Sequence, residues 1–437
     1  PAGEILWDGK GVNLDKGDSH SFEAEMTMAT LDDGSYEFAY ECDNGDLAQI
    51  VINRLSKDGA FLWDKPITLI DKDKTFEYPH LIYTGNNQTV LVYSAGTNEN
   101  LMARKINADG SSAWASDTKI YRGGFPPVPL QVIMKATAGP DGGVLVSWYD
   151  DRDFTGSYSN YISYIKSDGS YGFSTGIEGT KLSNVSNYSC MSPYVIYDDK
   201  TKNIYAIWNQ MDQTSQENQG IYMQKLSLEG ELLWGKEGKA VIPIQNALNY
   251  GYASIQKADN DNVAVFYMAS SGYGHVQSYL QEYDKDGNTL SNPVPFSTTD
   301  SEKSNLATCS LQDNNHWLVS WKEIRDGASV AGIFMQWLNT DGTFGIPTSI
   351  NNIEEDNKFN ATVSGHNVVF NYKTLRDEPV RISIYSVGGQ MIASISSENA
   401  GAGCQSLRWD ASNRENGTYI AVLHTHATTE KIRFYVK

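Results

Sequence analysis

The chain has 437 residues, with 34 basic and 53 acidic side chains and a net charge of −19. This charge argues against nucleic acid and against an anionic membrane surface as partners, because both are bound through clustered Lys and Arg. No run of about 18 apolar residues is present, so the sequence predicts no membrane span. A hydrophobic share of 40 % and a charged share of 20 % are typical of a globular protein, and the length predicts two domains.

The chain begins with Pro1-Ala2-Gly3, and no signal peptide is visible. We interpret it as a mature chain whose targeting segment has been removed. Its composition favours a secreted or outer cell-surface protein. The four cysteines form no Cys-x-x-Cys or Cys/His pattern, so we predict no zinc site and expect buried thiols. They are Cys42, Cys190, Cys309 and Cys404.

One short phrase recurs: an acidic residue, a glycine, and an aromatic residue four positions after the glycine. Its clearest copy is Asp58-Gly59 with Trp63. Asp and Gly tolerate the positive φ angles of a type I′ turn, so each copy predicts a tight hairpin between two strands. The other copies are Asp109-Gly110 with Trp114, Asp168-Gly169 with Phe173, Glu229-Gly230 with Trp234, Asp286-Gly287 and Asp341-Gly342. A spacing of roughly 50–60 residues indicates a radial repeat of β units.

A second hairpin precedes each of these turns. In the third unit it is Gly139-Pro140-Asp141-Gly142-Gly143, followed by the apolar run Val144-Leu145-Val146-Ser147-Trp148. Such runs are typical of strands buried on both faces, as between the blades of a propeller. Four strands per unit predict an all-β fold: a six-bladed β-propeller over residues 1–350, with seven blades as the alternative. A further copy of the outer-strand phrase at residues 3–7 predicts that the N-terminal strand closes the last blade.

A polar, acidic segment at 351–358 is the predicted linker, and the pattern changes after it. Alternating apolar residues then mark about six or seven strands within residues 359–437. The predicted strands are 368–372, 380–385, 391–395, 406–409, 419–423 and 432–436. This density of short strands predicts a small Ig-like β-sandwich.

Two parts of the sequence carry family resemblances. Trp148-Tyr149-Asp150-Asp151-Arg152 and Trp321-Lys322-Glu323-Ile324-Arg325-Asp326 resemble the repeats of secreted Bacteroidetes-type β-propeller proteins. The C-terminal region resembles the sorting domain of the type IX secretion system. The segments that carry this resemblance are 380–391, Leu407-Arg408-Trp409-Asp410, Asn416-Gly417-Thr418-Tyr419 and the terminal strand 431–437. It implies export or surface attachment through the secretion machinery. The Tyr-Pro-Asn-Pro entry of that family is replaced here by Phe359-Asn360-Ala361-Thr362, so a plain accessory sandwich is the alternative.

The predicted ligand face of the propeller carries the loops after Trp148, Trp208 and Trp321 and the links between units. These loops are long and rich in aromatic residues, and aromatic side chains with a few polar groups suit sugar or peptide ligands. The alternative is that the aromatic residues cap the blades and the arginines pair with neighbouring acids. The candidate ligand contacts are Tyr121, Arg122, Phe125, Asp151, Arg152, Tyr188, Tyr250, Tyr252 and Arg325.

No nucleophile elbow, zinc-protease motif or phosphate-binding glycine loop is present. The turns at 259–262 and 284–288 have oxygen ligands at calcium-like spacing but do not continue as EF-hand loops. We therefore predict no cofactor, with calcium as the alternative. The predicted function is a non-catalytic binding protein for an extracellular glycan or protein. The alternatives are a glycan-active hydrolase or lyase with acidic residues in the propeller funnel, and a structural spacer or adhesin.

Overall fold

The computed structural model describes residues 11–15, 22–43, 47–96, 100–121, 134–311, 316–325, 328, 330–339, 343, 359–374, 377–387, 389–401, 403–425 and 429–436. Among these residues the regular structure consists of β-strands and three short 3-10 turns, without an α-helix. The predicted all-β class is therefore confirmed. The chain divides into two compact units, Pro1–Gly345 and Ile346–Lys437. The predicted linker at 351–358 and the predicted closing strand at 3–7 lie outside the described residues.

The first unit opens with four antiparallel sheets, each built from four consecutive strands. The first sheet has β1 (Phe22–Thr30), β2 (Tyr36–Asp43), β3 (Ala48–Leu55) and β4 (Ile67–Leu69). The second has β5 (Phe76–Tyr83), β6 (Thr89–Ala95), β7 (Asn100–Ile106) and β8 (Thr118–Tyr121). The third has β9 (Lys135–Ala138), β10 (Val144–Asp150), β11 (Ser159–Ile165) and β12 (Thr180–Lys181). The fourth has β13 (Tyr188–Asp198), β14 (Asn203–Asp212), β15 (Gln219–Leu226) and β16 (Lys239–Gln245). Each strand pairs with the next in the chain, so every sheet is a simple meander.

The fifth sheet has six strands and contains two repeats in series. Its strands are β17 (Asn249–Lys257), β18 (Val263–Gly272), β19 (His275–Tyr283), β20 (Val294–Ser310), β21 (His316–Ile324) and β22 (Gly332–Asn339). The long strand β20 pairs with two different strands. Its first half pairs with β19, and its second half, from residue 302, pairs with β21. β20 therefore ends one repeat and begins the next, and this last repeat has three strands among the described residues.

Each pair of an acidic residue and a glycine forms a tight turn between the third and the fourth strand of its repeat. The predicted turn type, type I′, is wrong. In the first repeat Gly59 has a left-handed φ of 82°, whereas Asp58 does not. The Gly59 N–H donates to the carbonyl of Ser56. The turn is therefore type I followed by a left-handed glycine, which needs positive φ at one position only. The same hydrogen bond and glycine φ recur at Gly110, Gly169, Gly230 and Gly287.

The aromatic residue after each turn packs under the glycine of the next repeat. A Cβ atom on Gly110 would meet the Trp63 ring at 3.2 Å, and one on Gly169 would meet the Trp114 ring at 3.0 Å. Phe173 under Gly230 and Trp234 under Gly287 repeat the contact. The glycine is thus required both for its φ and for the space above the ring, which explains why glycine and aromatic residue recur together.

Apolar clusters join each sheet of the first unit to the next. Val90 and Val92 of β6, for example, pack with Val144 and Trp148 of β10. Equivalent clusters join the first sheet to the second, the third to the fourth, the fourth to the fifth, and the two repeats of the fifth. The tryptophans Trp148, Trp208 and Trp317 are fully buried, as expected for strands covered on both faces.

The second unit has two antiparallel sheets around one apolar core. One sheet has the order β23–β24–β27 and the other the order β26–β25–β28–β29. The strands are β23 (Phe359–Ser364), β24 (Asn367–Thr374), β25 (Glu378–Ser386), β26 (Met391–Ala400), β27 (Gly403–Asp410), β28 (Gly417–His424) and β29 (Thr429–Val436). The rings of Phe370 and Trp409 from one sheet contact Phe434 of the other at centroid distances of 5.2 and 6.1 Å. The six predicted strands coincide with β24 to β29, and β23 is an additional strand.

Candidate active site

The first strand of each repeat lies beside the first strand of the next. These strands are β1, β5, β9, β13, β17 and the second half of β20, and successive members are in contact. We call them the first strands. Because they are held side by side by the apolar clusters between sheets, equivalent residues on them form a row across the unit.

Five of the six first strands carry a β-bulge at the same place. The bulges lie between Ala24 and Thr27, Glu77 and His80, Met191 and Tyr194, Gly251 and Ser254, and Ser304 and Ala307. The residues at the start of the bulges have φ values of 46–56° and are Glu25, Tyr78, Ser192, Tyr252 and Asn305. The segment before β9 lies outside the described residues. A left-handed φ costs a non-glycine residue of the order of 1–2 kcal/mol. The surrounding structure must therefore stabilise a strained backbone at each of the five bulges. Bulges of this kind are frequent beside active sites.

Polar side chains of the preceding sheet hold several of these bulges in place. The backbone N–H of Tyr78 donates to Glu41 Oε2 at 3.0 Å. Ser147 donates its hydroxyl to the carbonyl of Pro193 at 3.0 Å, and Asn209 donates its amide to the carbonyl of Tyr250 at 3.1 Å. The bulged backbone is therefore positioned by neighbouring sheets, which gives the side chains around it a defined direction.

Six residues occupy an equivalent position on the first strands, because they pair with equivalent residues of the second strands: Thr27, His80, Lys135, Tyr194, Ser254 and Ala307. We call them the post-bulge positions. Five of them directly follow a bulge, and Lys135 is the equivalent residue of β9. Three successive positions thus carry an imidazole, an ammonium group and a phenol.

His80 is a neutral imidazole over most of the pH range. Burial lowers its pKa to about 4, and the positive charge of Lys135 on the next strand adds to the effect. The backbone on both sides of His80 is held by the first sheet, because Tyr78 N–H donates to Glu41 and Leu81 N–H donates to Thr27 Oγ1 at 3.1 Å. A neutral imidazole on this firmly held backbone has a lone pair on one ring nitrogen and can accept a proton.

Tyr194 belongs to a polar network that crosses three first strands. The Gln256 amide donates to the Tyr194 hydroxyl oxygen at 3.4 Å and to Thr308 Oγ1 at 2.9 Å. Ser254 and Thr308 share a hydrogen bond of 2.8 Å, and Ser310 donates to Gln256 Oε1 at 3.1 Å. Burial raises the pKa of Tyr194. The phenol therefore stays protonated, and because its oxygen accepts from Gln256, its own O–H remains available as a donor.

Two carboxylates lie at the same end of the first sheet. Glu41 is buried and Glu25 is exposed on the first bulge. Burial raises the pKa of Glu41, its hydrogen bond from Tyr78 opposes this, and the charge of Glu25 raises it further. An acid in a buried setting beside an exposed carboxylate is the arrangement that two-carboxylate glycoside hydrolysis uses.

Three of the predicted ligand contacts lie close to the bulges. Tyr188 begins β13, and Tyr250 and Tyr252 belong to β17. Tyr252 occupies the bulge with φ 54° and is 47 % exposed. The Tyr250 ring packs against Tyr267 at 6.2 Å, and its N–H donates to Gln219. Arg122 and Phe125 lie outside the described residues.

Arg152 and Arg325 each pair with an acidic residue and stack on an aromatic ring. Arg152 Nη2 lies 2.6 Å from Asp150, and its guanidinium stacks 3.7 Å from the Tyr161 ring centroid. The indole N–H of Trp148 donates to the same carboxylate. Arg325, Glu323, Trp321 and Phe334 form the equivalent set, with an ion pair of 2.7 Å and a stacking distance of 3.6 Å. Both guanidinium groups are therefore committed to the protein, as the alternative interpretation of the arginines predicted.

Tyr121 and Asp151 are also engaged within the protein. Tyr121 is buried, with its ring 5.8 Å from Trp148 and 5.2 Å from the Arg152 guanidinium. The Asp151 carboxylate accepts the backbone N–H groups of Thr155 and Gly156, both at 2.8 Å, and so shapes its own loop. Both residues therefore have defined contacts within the protein, and their ligand-binding role stays a prediction.

Within the described residues, no group of three or more His, Cys, Asp or Glu side chains is placed to hold a metal ion. The Asp284 carboxylate of the second acidic turn accepts the N–H groups of Asp286 and Asn288 and thereby closes that turn. Likewise, no helix in the described part of the chain is long and apolar enough to cross a membrane.

Sequence reasoning missed His80, Lys135 and Tyr194, because it searched the loops rather than the strands. The signal that was available is their spacing, since they stand one repeat apart in the sequence. The extra residue in each bulge interrupts the strict alternation of a strand and hides this equivalence.

Comparison with known proteins yields likenesses of structure only. No protein-family model and no curated protein matches the chain. The polysaccharide lyase Uly1 is similar with 10 % identity and a TM-score of 0.49, over 72 % of this chain and 77 % of the lyase. An α-L-arabinanase of Penicillium chrysogenum, complexed with arabinobiose, has 13 % identity and a TM-score of 0.41, over 73 % and 94 %. An α-L-arabinofuranosidase of Lactobacillus brevis has 14 % identity and a TM-score of 0.35, over 63 % and 96 %.

These comparisons correct the predicted function. The chain was expected to be a non-catalytic binding protein, but the structures that it resembles are glycoside hydrolases and a polysaccharide lyase. The glycoside hydrolases among them are β-propellers, which is the fold that the sequence predicts for the first unit. At this level of identity they assign no substrate and no reaction to this chain.

Proposed function

We propose that this chain is a glycan-active enzyme whose reaction centre lies on the first strands, at the post-bulge positions. The observation that supports it most directly is the row of His80, Lys135 and Tyr194 on three successive strands, next to a strained backbone. The pKa of His80 is lowered and that of Tyr194 is raised by burial, and titratable groups with shifted pKa values at one level of a rigid scaffold are typical of a catalytic site.

We propose further that the first unit is a six-bladed β-propeller. Four four-stranded sheets and the two repeats of the fifth sheet supply six repeats, and the first strands would line the central channel. Residues 3–7 would add a fourth strand to the three that the described residues of the last blade form. For the second unit we propose an Ig-like sandwich, because a three-stranded and a four-stranded sheet enclose one core.

The proposed setting is extracellular, on a secreted or surface-attached protein. The sequence resemblances of the repeats and of the C-terminal region support this setting, and the second unit would serve export or attachment through the type IX secretion machinery. An extracellular glycan is the proposed substrate, and the site offers the proton donors and acceptors that its cleavage requires.

The test is depolymerisation of a panel of plant, algal, bacterial and host polysaccharides by the full chain, followed by chromatography of the products and by counting new chain ends. The proposal expects cleavage of one glycan class, with His80→Ala and Tyr194→Phe each lowering the rate about a hundredfold or more. Lys166→Met is the matched control, because Lys166 is exposed in the turn that contains Asp168 and Gly169. This variant should cleave the glycan at the wild-type rate. Thermal stabilisation by a glycan without any cleavage would contradict the proposal and restore a binding role.

A further inference from the structure

The side chains at the post-bulge positions differ from those that two-carboxylate glycoside hydrolysis uses. Thr27, His80, Lys135, Tyr194, Ser254 and Ala307 include no carboxylate. Two-carboxylate hydrolysis needs an acid and a base or nucleophile across the scissile bond. A neutral imidazole, an ammonium group and a protonated phenol are instead suited to removing a proton from carbon and to protonating a leaving oxygen.

We infer that the site cleaves a uronate-containing polysaccharide by elimination, with His80 as the base, Lys135 facing the uronate carboxylate and Tyr194 as the acid. This inference rests on the proposed function and deepens it by naming the substrate class and the reaction. Each of the three roles is supported by a separate observation on the residue concerned.

His80 has the protonation state and the fixed position that a base requires. Its pKa is lowered by burial and by Lys135, so its ring is unprotonated at neutral pH. The hydrogen bonds from Tyr78 and Leu81 to the first sheet hold the backbone on both sides of it. A base that is already neutral in the free enzyme needs no prior loss of a proton before it removes one from the sugar.

Lys135 occupies the position on β9 that is equivalent to His80 on β5, and these two first strands are in contact. Its positive charge adds to the lowering of the pKa of His80. The ammonium group is exposed, so a ligand can approach it. The proton at C5 of a uronate is adjacent to the carboxylate, and removing it puts further negative charge on that group. A cation beside the carboxylate stabilises this charge as it develops. A neutral sugar has no carboxylate at this position, so Lys135 selects for uronates.

Tyr194 supplies the acid. Its oxygen accepts a hydrogen bond from Gln256, which leaves the phenolic O–H free to donate. Gln256 is itself fixed by Thr308 and Ser310 on the next first strand. The network therefore orients the phenol, and burial keeps it protonated because it raises the pKa of the group.

The proposed step balances without any further reactant. The C5–H bond breaks and its proton goes to His80. The electron pair of that bond forms the C4–C5 double bond, and the C4–O bond breaks. The leaving oxygen takes the proton of Tyr194, so one chain ends in an unsaturated uronate and the other in a hydroxyl group. Proton exchange with solvent returns His80 and Tyr194 to their starting states.

The competing chemistry is hydrolysis by Glu25 and Glu41. The two reactions differ in their products, because hydrolysis adds the elements of water across the bond and elimination does not. In oxygen-labelled water, a hydrolysed glycosidic bond gains one labelled oxygen, whereas an elimination product gains none. An unsaturated uronate is also detected by its ultraviolet absorbance.

The experiment uses the full chain with polygalacturonate, alginate and a glycosaminoglycan, with carboxyl-reduced polygalacturonate and arabinan as neutral polymers. We expect unlabelled, ultraviolet-absorbing products from a polyuronate and none from the neutral polymers. His80→Ala and Tyr194→Phe should each lower the rate about a hundredfold or more, and Lys135→Met should lower kcat/KM on the polyuronate. Tyr171→Phe and Lys166→Met should leave the rate unchanged.

The outcomes separate the inference from the proposed function. Labelled, saturated products that disappear in Glu25→Gln or Glu41→Gln would overturn elimination while the chain remained a glycan-active enzyme. Cleavage of arabinan or of the carboxyl-reduced polymer at the rate of the polyuronate would overturn the uronate specificity. No cleavage of any polymer by the folded chain would overturn both.

Discussion

Replacing Glu37 with glutamine is expected to stabilise the protein at neutral and alkaline pH. Glu37 lies in β2 with 0 % of its side chain exposed. Thr89 donates to Glu37 Oε1 at 2.6 Å, while Oε2 has no hydrogen-bond partner among the described residues. Burial raises the pKa of Glu37 from its usual 4.5 to about 7, although the hydrogen bond from Thr89 and the charge of Arg54 oppose the change. The native protein therefore holds this carboxyl protonated where the unfolded chain does not.

The sign and size of the effect follow from proton linkage. Between pH 4.5 and about 7 the native state binds more protons at Glu37 than the unfolded state. Stability therefore falls as the pH rises through this window, and the loss is complete above the native pKa. A difference of about 2.5 pH units corresponds to about 3 kcal/mol, at about 1.4 kcal/mol per unit. Glutamine carries no charge at any pH and can still accept from Thr89, so the variant escapes this loss.

Urea unfolding at several pH values between 4.5 and 8.5 measures the effect. The difference in unfolding free energy between Glu37→Gln and the wild type should grow by about 3 kcal/mol from the acidic to the alkaline end of this range. Glu217→Gln, which alters an exposed loop residue, is the matched control and should follow the wild type. Parallel curves for Glu37→Gln and the wild type would refute the reasoning, because they would mean that Glu37 titrates alike in the folded and the unfolded protein.

Three further changes test other parts of the structure. Gly169→Ala puts a side chain at a residue with φ 85° and within 3.0 Å of the Trp114 ring. Thermal unfolding should therefore show a loss of stability of at least about 1–2 kcal/mol. An unchanged Tm would contradict the packing of Trp114 under Gly169. Arg152→Met leaves Asp150 buried without its cation, which should cost about 3–5 kcal/mol in urea unfolding. Adding Asp150→Asn should recover part of that loss, and an equal loss in the double variant would refute the pairing argument. Cleavage by the wild type should fall below about pH 4, where His80 becomes protonated; a rate that persists well below this pH would exclude a neutral His80 as the base.

The repeat could be predicted because a glycine and an aromatic residue four positions later recur in each copy, as Gly110 and Trp114 do. The glycine is required locally for its positive φ, whereas its contact is with an aromatic ring of the preceding repeat, which is Trp63 for Gly110. Local pattern did not determine the turn type, however. Asp109 accepts the N–H of Ser111 and keeps an ordinary φ, so only the glycine enters the left-handed region.

The sequence by itself determined the all-β class, the number of repeated phrases and the position of the C-terminal strands, because alternation and turn residues act over a few neighbours. Only the tertiary structure decided the contacts of Arg152 and Tyr194. Arg152 has an acidic neighbour in the sequence, but its commitment to that acid depends on a tyrosine of the next strand. Tyr194 accepts a hydrogen bond from Gln256, which stands 62 positions later in another sheet. Strand pairing within one sheet brings Tyr161 to Arg152, whereas packing between sheets brings Gln256 to Tyr194, and no local pattern determines either contact.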